Sequence, residues 1–133
     1  MKIDISTGEL VDKVSILAIK LEKISDTSKV NNIRKEYELL LKPMTDCGIG
    51  TDSDEFLALK DVNLKLWEIE DRIRIKEAGK AFDGEFIELA RSVYFTNDER
   101  AEIKKRINLA TGSELVEEKQ YVDYIGACEI SSR

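Results

Sequence analysis

The sequence predicts an all-α protein: a helical bundle opened by an antiparallel hairpin, followed by one long central helix and two or three shorter ones. Three observations carry that expectation. A single proline and seven glycines in 133 residues leave long stretches without a breaker. Apolar residues recur at alternating spacings of three and four, the mark of a helix that buries one stripe. Capping sequences stand just ahead of those stripes.

Ser6-Thr7-Gly8-Glu9 fits a capping box, so the first helix starts there, with Leu10, Val14, Leu17, Leu21 and Ile24 as its stripe and Ile16, Ala18 and Ile19 widening it. Ser25-Asp26-Thr27-Ser28 supplies a polar turn. The second helix then follows Val30, Ile33, Tyr37, Leu40 and Met44 until Pro43 interferes with its last turn, and Pro43 to Ser53 reads as a loop. The third, from Asp54 to Ala78, carries Leu59, Val62, Leu66, Ile69 and Ile73. After the break at Gly79 to Gly84, Asp83 caps a fourth helix ending near Phe95. Thr96-Asn97-Asp98-Glu99 resembles a second capping box and opens a fifth, with Ile103, Ile107 and Ala110 facing inward and Gly112 as its stop. Ser113 to Lys119 reads as one further short helix, and residues 126–133 as a mobile tail. Residues 1–125 thus form one domain.

Composition narrows the function. An apolar fraction of 42% fills one core without a staple. The formal charge of −6 would repel nucleic acid and anionic membranes. No apolar run approaches the roughly 20 residues of a membrane helix, and the opening Met-Lys-Ile-Asp lacks a secretory apolar region, so a cytoplasmic location is expected. Histidine is absent, and Cys47 and Cys128 stand far apart. That argues against a zinc site and against His-dependent nucleophiles, and no metal or cofactor is expected.

The runs Ile5-Ser6-Thr7-Gly8-Glu9-Leu10-Val11-Asp12-Lys13-Val14, Leu89-Ala90-Arg91-Ser92-Val93-Tyr94 and Gly112-Ser113-Glu114-Leu115-Val116-Glu117-Glu118-Lys119 resemble a family of uncharacterised proteins of bacteria and tailed bacteriophages. The resemblance implies a compact intracellular domain and carries over no activity and no site residue.

Two groups of residues could carry function. On the third helix, Glu70 projects between Leu66 and Ile73 on the apolar arc, with Asn63 and Glu77 nearby. A carboxylate there needs a cationic partner, a cleft or a metal. Glu68 and Asp71, the Glu-x-x-Asp spacing of an all-α pyrophosphatase, point away from that arc. Around the expected turn near residue 96, Arg91, Tyr94, Asn97, Arg100, Lys104, Lys105 and Arg106 form a locally basic region able to hold a small phosphorylated ligand. A helix-turn-helix reading is disfavoured by the overall acidity. Leu66, Trp67 and Ile73 are candidates for an interface. The favoured reading is a helix-mediated interaction or scaffold protein that self-associates. The alternative is a small-anion-binding protein or all-α enzyme using Arg91, Tyr94, Asn97, Arg100, Glu70 and Glu77.

Overall fold

The computed structural model describes residues 1–124 and shows four helices: α1 (Thr7–Lys23), α2 (Thr27–Asp46), α3 (Asp54–Ala78) and α4 (Gly84–Thr111). The described residues contain no strand. The expected tail at 126–133 lies outside the described residues.

The helix starts follow local chemistry. Ser6, Asp26, Ser53 and Asp83 each accept the backbone N–H three residues on, as N-caps do. At Gly112 the backbone turns left-handed, which ends α4.

Three boundaries differ from expectation. The segment from Gly84 to Thr111 is one helix, so no turn opens at Thr96, and α4 rather than α3 is the longest element. The reason is register: Phe86, Leu89, Val93, Thr96, Arg100, Ile103 and Ile107 keep an unbroken 3-4 spacing, and Thr96 is buried where a cap would be exposed. Ala110, next on that line, is exposed, so the covered part of the stripe ends at Ile107. Pro43 lies within α2, which continues to Asp46. Proline frees the carbonyl four residues back, and that residue, Leu39, is 72% exposed, so water can satisfy it. Finally, Ser113 to Lys119 is not helical. The Ser113 hydroxyl accepts the Thr7 N–H at 3.1 Å and donates to the Leu115 carbonyl at 2.8 Å, holding the chain back across the start of α1.

The central helix is α1, which packs against the other three, whereas α2 packs on α1 alone. Its stripes are two. Leu10 and Val14 join Val11, Met44, Ile49, Phe56, Leu59 and Ile107 in the main core. Gly8, Asp12, Ser15 and Ile19, spaced 4-3-4, are also buried, so a second face of α1 is covered as well. The end of α3, the start of α4 and the connection between them are thinly covered: Ile75, Phe82 and Ile87 are 70%, 57% and 55% exposed.

Candidate functional site

The start of α1 is closely engaged. Gly8 donates its N–H to Asn108 Oδ1 at 2.7 Å, Thr7 to Ser113 and Glu9 to Ser6, so the first three N–H groups of the helix all have side-chain acceptors. A Cβ at Gly8 would stand 2.5 Å from the Lys104 carbonyl oxygen, so α1 and α4 touch backbone to backbone. The Glu9 carboxylate bonds Lys104 Nζ at 2.7 Å, and Glu117 bonds it from the other side at 2.9 Å. Burial opposes the Lys104 ammonium, but these two carboxylates outweigh it and hold the group above the ordinary lysine value; the Lys104 hydrogen bond in turn holds Glu117 below the ordinary glutamate value.

One turn further along α1 lies a buried polar cluster. The Asp12 side chain is 1% exposed and forms an ion pair with Arg100, which donates from Nε to Oδ1 at 2.9 Å and from Nη2 to Oδ2. The Asp12 hydrogen bond, opposed by burial, raises the already high pKa of Arg100. Asn63 donates through Nδ2 to Asp12 Oδ1 and to Ser15 Oγ, both at 2.9 Å, and Ser15 donates to the Asp12 carbonyl at 2.7 Å. With donors at both oxygens, Asp12 is set to position Arg100 and Asn63.

Two members of this cluster, Asn63 and Arg100, line a cleft of about 610 Å³ between α1, α3 and α4. Ile16, Ile19 and Leu66 form its apolar side and Trp67 an aromatic one; Glu70, Asp71 and Arg74 line it from α3, and Asn97 and Arg100 from α4. The orientation of Asn63 follows from its partners. Turning its amide over would aim the carbonyl oxygen at a carboxylate, so both N–H groups face Asp12 and Ser15 and Oδ1 faces away. Asn63 is 6% exposed, and among the described residues no donor meets Oδ1. An unclaimed acceptor at that depth is costly unless something supplies a proton to it.

Of the residues singled out from sequence, Asn63, Leu66, Trp67, Glu70, Asn97 and Arg100 come together at the cleft, as does Asp71, which was expected to point away from the packing face. The others do not. Arg91 pairs with Glu88 at 3.2 Å and lies over the Phe95 ring, and Tyr94 packs against Phe95 and Tyr124, beside a second hollow of about 680 Å³ that Asn97 also lines. Glu77 is exposed near the end of α3, and Ile73 is half-buried along it. Glu70 meets Arg74 at 3.5 Å rather than a cation from another helix. Asp12 and Ser15 escaped the sequence reading, although the 4-3-4 spacing of Gly8, Asp12, Ser15 and Ile19 was a usable signal. Among the described residues, no group of three acidic or cysteine side chains could hold a metal ion, and no helix is long and apolar enough to cross a membrane.

Together these features define an all-α domain with a polar cleft beside a buried Asp–Arg–Asn cluster. The chain belongs to a family of unknown function (DUF6165), whose model matches residues 1–132. No curated protein and no solved structure matches it.

Proposed function

We propose that the protein binds a small polar molecule in the cleft between α1, α3 and α4. The observation that carries this reading is the side-chain carbonyl oxygen of Asn63, a buried residue held in one orientation by Asp12 and Ser15, which has no donor among the described residues. The volume falls in the range of roughly 300–1,000 Å³ typical of ligand sites. Binding rather than catalysis is favoured, because the buried carboxylate of the site is occupied by Arg100 and Asn63. Trp67 is the only tryptophan of the chain and lines the cleft, so its fluorescence reports occupancy directly. A panel of saccharides, nucleosides, amino acids and phosphorylated metabolites should contain a compound that shifts Trp67 emission saturably and raises the melting temperature. If no compound does either, the reading is refuted.

A second reading is self-association through the end of α3, the start of α4 and the connection between them, favoured by the exposure of Ile75, Phe82 and Ile87. A second copy is the simplest cover for such a face, since symmetric dimers are the commonest oligomers. Light scattering should then give a dimer mass that reverts to monomer in Ile87→Glu, with circular dichroism unchanged. A monomer at high concentration removes this reading.

A further inference from the structure

The groups left open in the cleft define a chemical class of ligand, an inference that rests on the binding reading above. The charges come first. Arg74 and Arg100 line the cleft against Glu70 and Asp71, and Asp12 stands behind Arg100. Arg74 is paired with Glu70 and Arg100 with Asp12, which leaves Asp71 in excess on a chain of formal charge −6. A phosphate or carboxylate would therefore enter a site with no cationic surplus.

Hydrogen-bonding capacity is abundant by contrast, and of both kinds. Asn63 Oδ1 is an acceptor. The Asn97 side chain offers an acceptor and two donors, and neither it nor Arg100 Nη1 has a partner among the described residues. The carboxylates of Glu70 and Asp71 add acceptors at the rim. A ligand that answers this mixture needs several groups that donate and accept at once, and neutral hydroxyls do so. The opposite requirement comes from Trp67, Ile16 and Leu66, which present apolar surface to the same space. Few small neutral molecules have one apolar face and an edge of hydroxyls; the ring of a sugar has both, its C–H groups on the face and its hydroxyls around the equator.

We propose that the cleft is a saccharide site, in which a pyranose ring lies against Trp67 and turns its hydroxyls toward Asn63, Asn97 and Arg100. The side-chain arrangement is already in place: Asp12 holds Asn63 and Arg100 in their orientations before any ligand arrives, which lowers the ordering cost of binding.

The test titrates the full-length protein with methyl glycosides of glucose, galactose, mannose and N-acetylglucosamine, following Trp67 emission, with adenosine and inorganic phosphate as comparisons. Saturable binding of at least one glycoside is expected, with a Kd on the order of millimolar or tighter and at least tenfold weakening in Asn97→Ala. That variant removes a side chain with no partner among the described residues, so its circular dichroism and melting temperature should match the parent. A glycoside that binds Asn97→Ala and Glu70→Gln as well as the parent lies elsewhere and overturns the proposal. Saturation by adenosine or phosphate with no response to any glycoside overturns the saccharide class but leaves the cleft a ligand site. No response to any probe here, nor to any member of the wider panel, removes both readings.

Discussion

Replacing Arg100 by alanine removes two of the three side-chain donors around the Asp12 carboxylate together with its countercharge. The remaining donor is the neutral amide of Asn63, and the Asp12 side chain, 1% exposed with Arg100 in place, can reach water only through the space that Arg100 vacates. Breaking a buried pair from one side typically costs about 3–5 kcal/mol. Against a total stability of about 5–15 kcal/mol for a domain of this size, that is roughly a fifth or more of the whole. At roughly 4 °C per kcal/mol for a chain of this size, the melting temperature should fall by about 12–20 °C. Asp12→Ala should cost less, because the stranded Arg100 is 28% exposed and can turn its guanidinium into the cleft. The double variant should lose less than the sum of the two, since each single change includes the cost of leaving the other charge alone. Urea unfolding followed by circular dichroism measures all three, with an unchanged slope confirming that the transition remains comparable. A loss below about 1 kcal/mol for Arg100→Ala, as for an exposed pair, would refute the reasoning, and so would a larger loss for Asp12→Ala than for Arg100→Ala.

Other expectations follow from the start of α1. Gly8→Ala forces a methyl group against the Lys104 carbonyl oxygen at 2.5 Å, and should destabilise by about 1–3 kcal/mol in the same urea assay. Ser6→Ala removes the acceptor of the Glu9 N–H and should cost about 1 kcal/mol; an unchanged midpoint would show that the cap contributes nothing. Glu117 is held below the ordinary glutamate value of 4.5, so its contribution is complete above that value and is lost as pH falls through the lower folded value. Lys104 is held above 10.5, so its contribution is complete below that and is lost as pH rises further. The urea midpoint should therefore be flat between about pH 5 and 8 as far as these two groups are concerned. Glu117→Gln should reduce the decline on the acid side, and an acid limb identical to the parent would show that the Lys104 bond does not drive it.

Much of the fold could be read in advance because helix ends are local chemistry. Ser6, Asp83 and Gly112 mark boundaries through their own side chains or backbone freedom, and the structure uses each of them. The error at Thr96 has the same origin. A capping sequence is only an opportunity, and it is overridden where the apolar line continues through it, as it does from Phe86 to Ile107. Ser113 failed as a helix start because its hydroxyl meets the Thr7 N–H, a partner 106 positions away that no local window reveals. The cleft was half legible. Glu70, Asn97, Arg100 and Trp67 stood out as polar or aromatic residues on helices, but Asp12 was hidden because an inward face written with glycine, aspartate and serine does not register as apolar. Its role depends on a helix that touches three others, and that is a property of the assembled bundle.

The Asp12–Arg100 pair also constrains how the chain folds during synthesis. Its partners are 88 positions apart, and Gly8 meets Asn108 across 100. At about 5–20 residues per second, roughly 4–18 s separate the appearance of Asp12 from that of Arg100. Throughout that interval α1 carries a carboxylate that cannot be buried without its countercharge, so the amphipathic helix has no native way to seal its second face. The first three helices can gather around Val11, Val14 and Leu59, but that intermediate stays hydrated along Asp12 and Ser15 until α4 arrives. Closure of the α1–α4 contact is then a late, long-range event, of the kind that slows folding because a large loop must close before any contact rewards it.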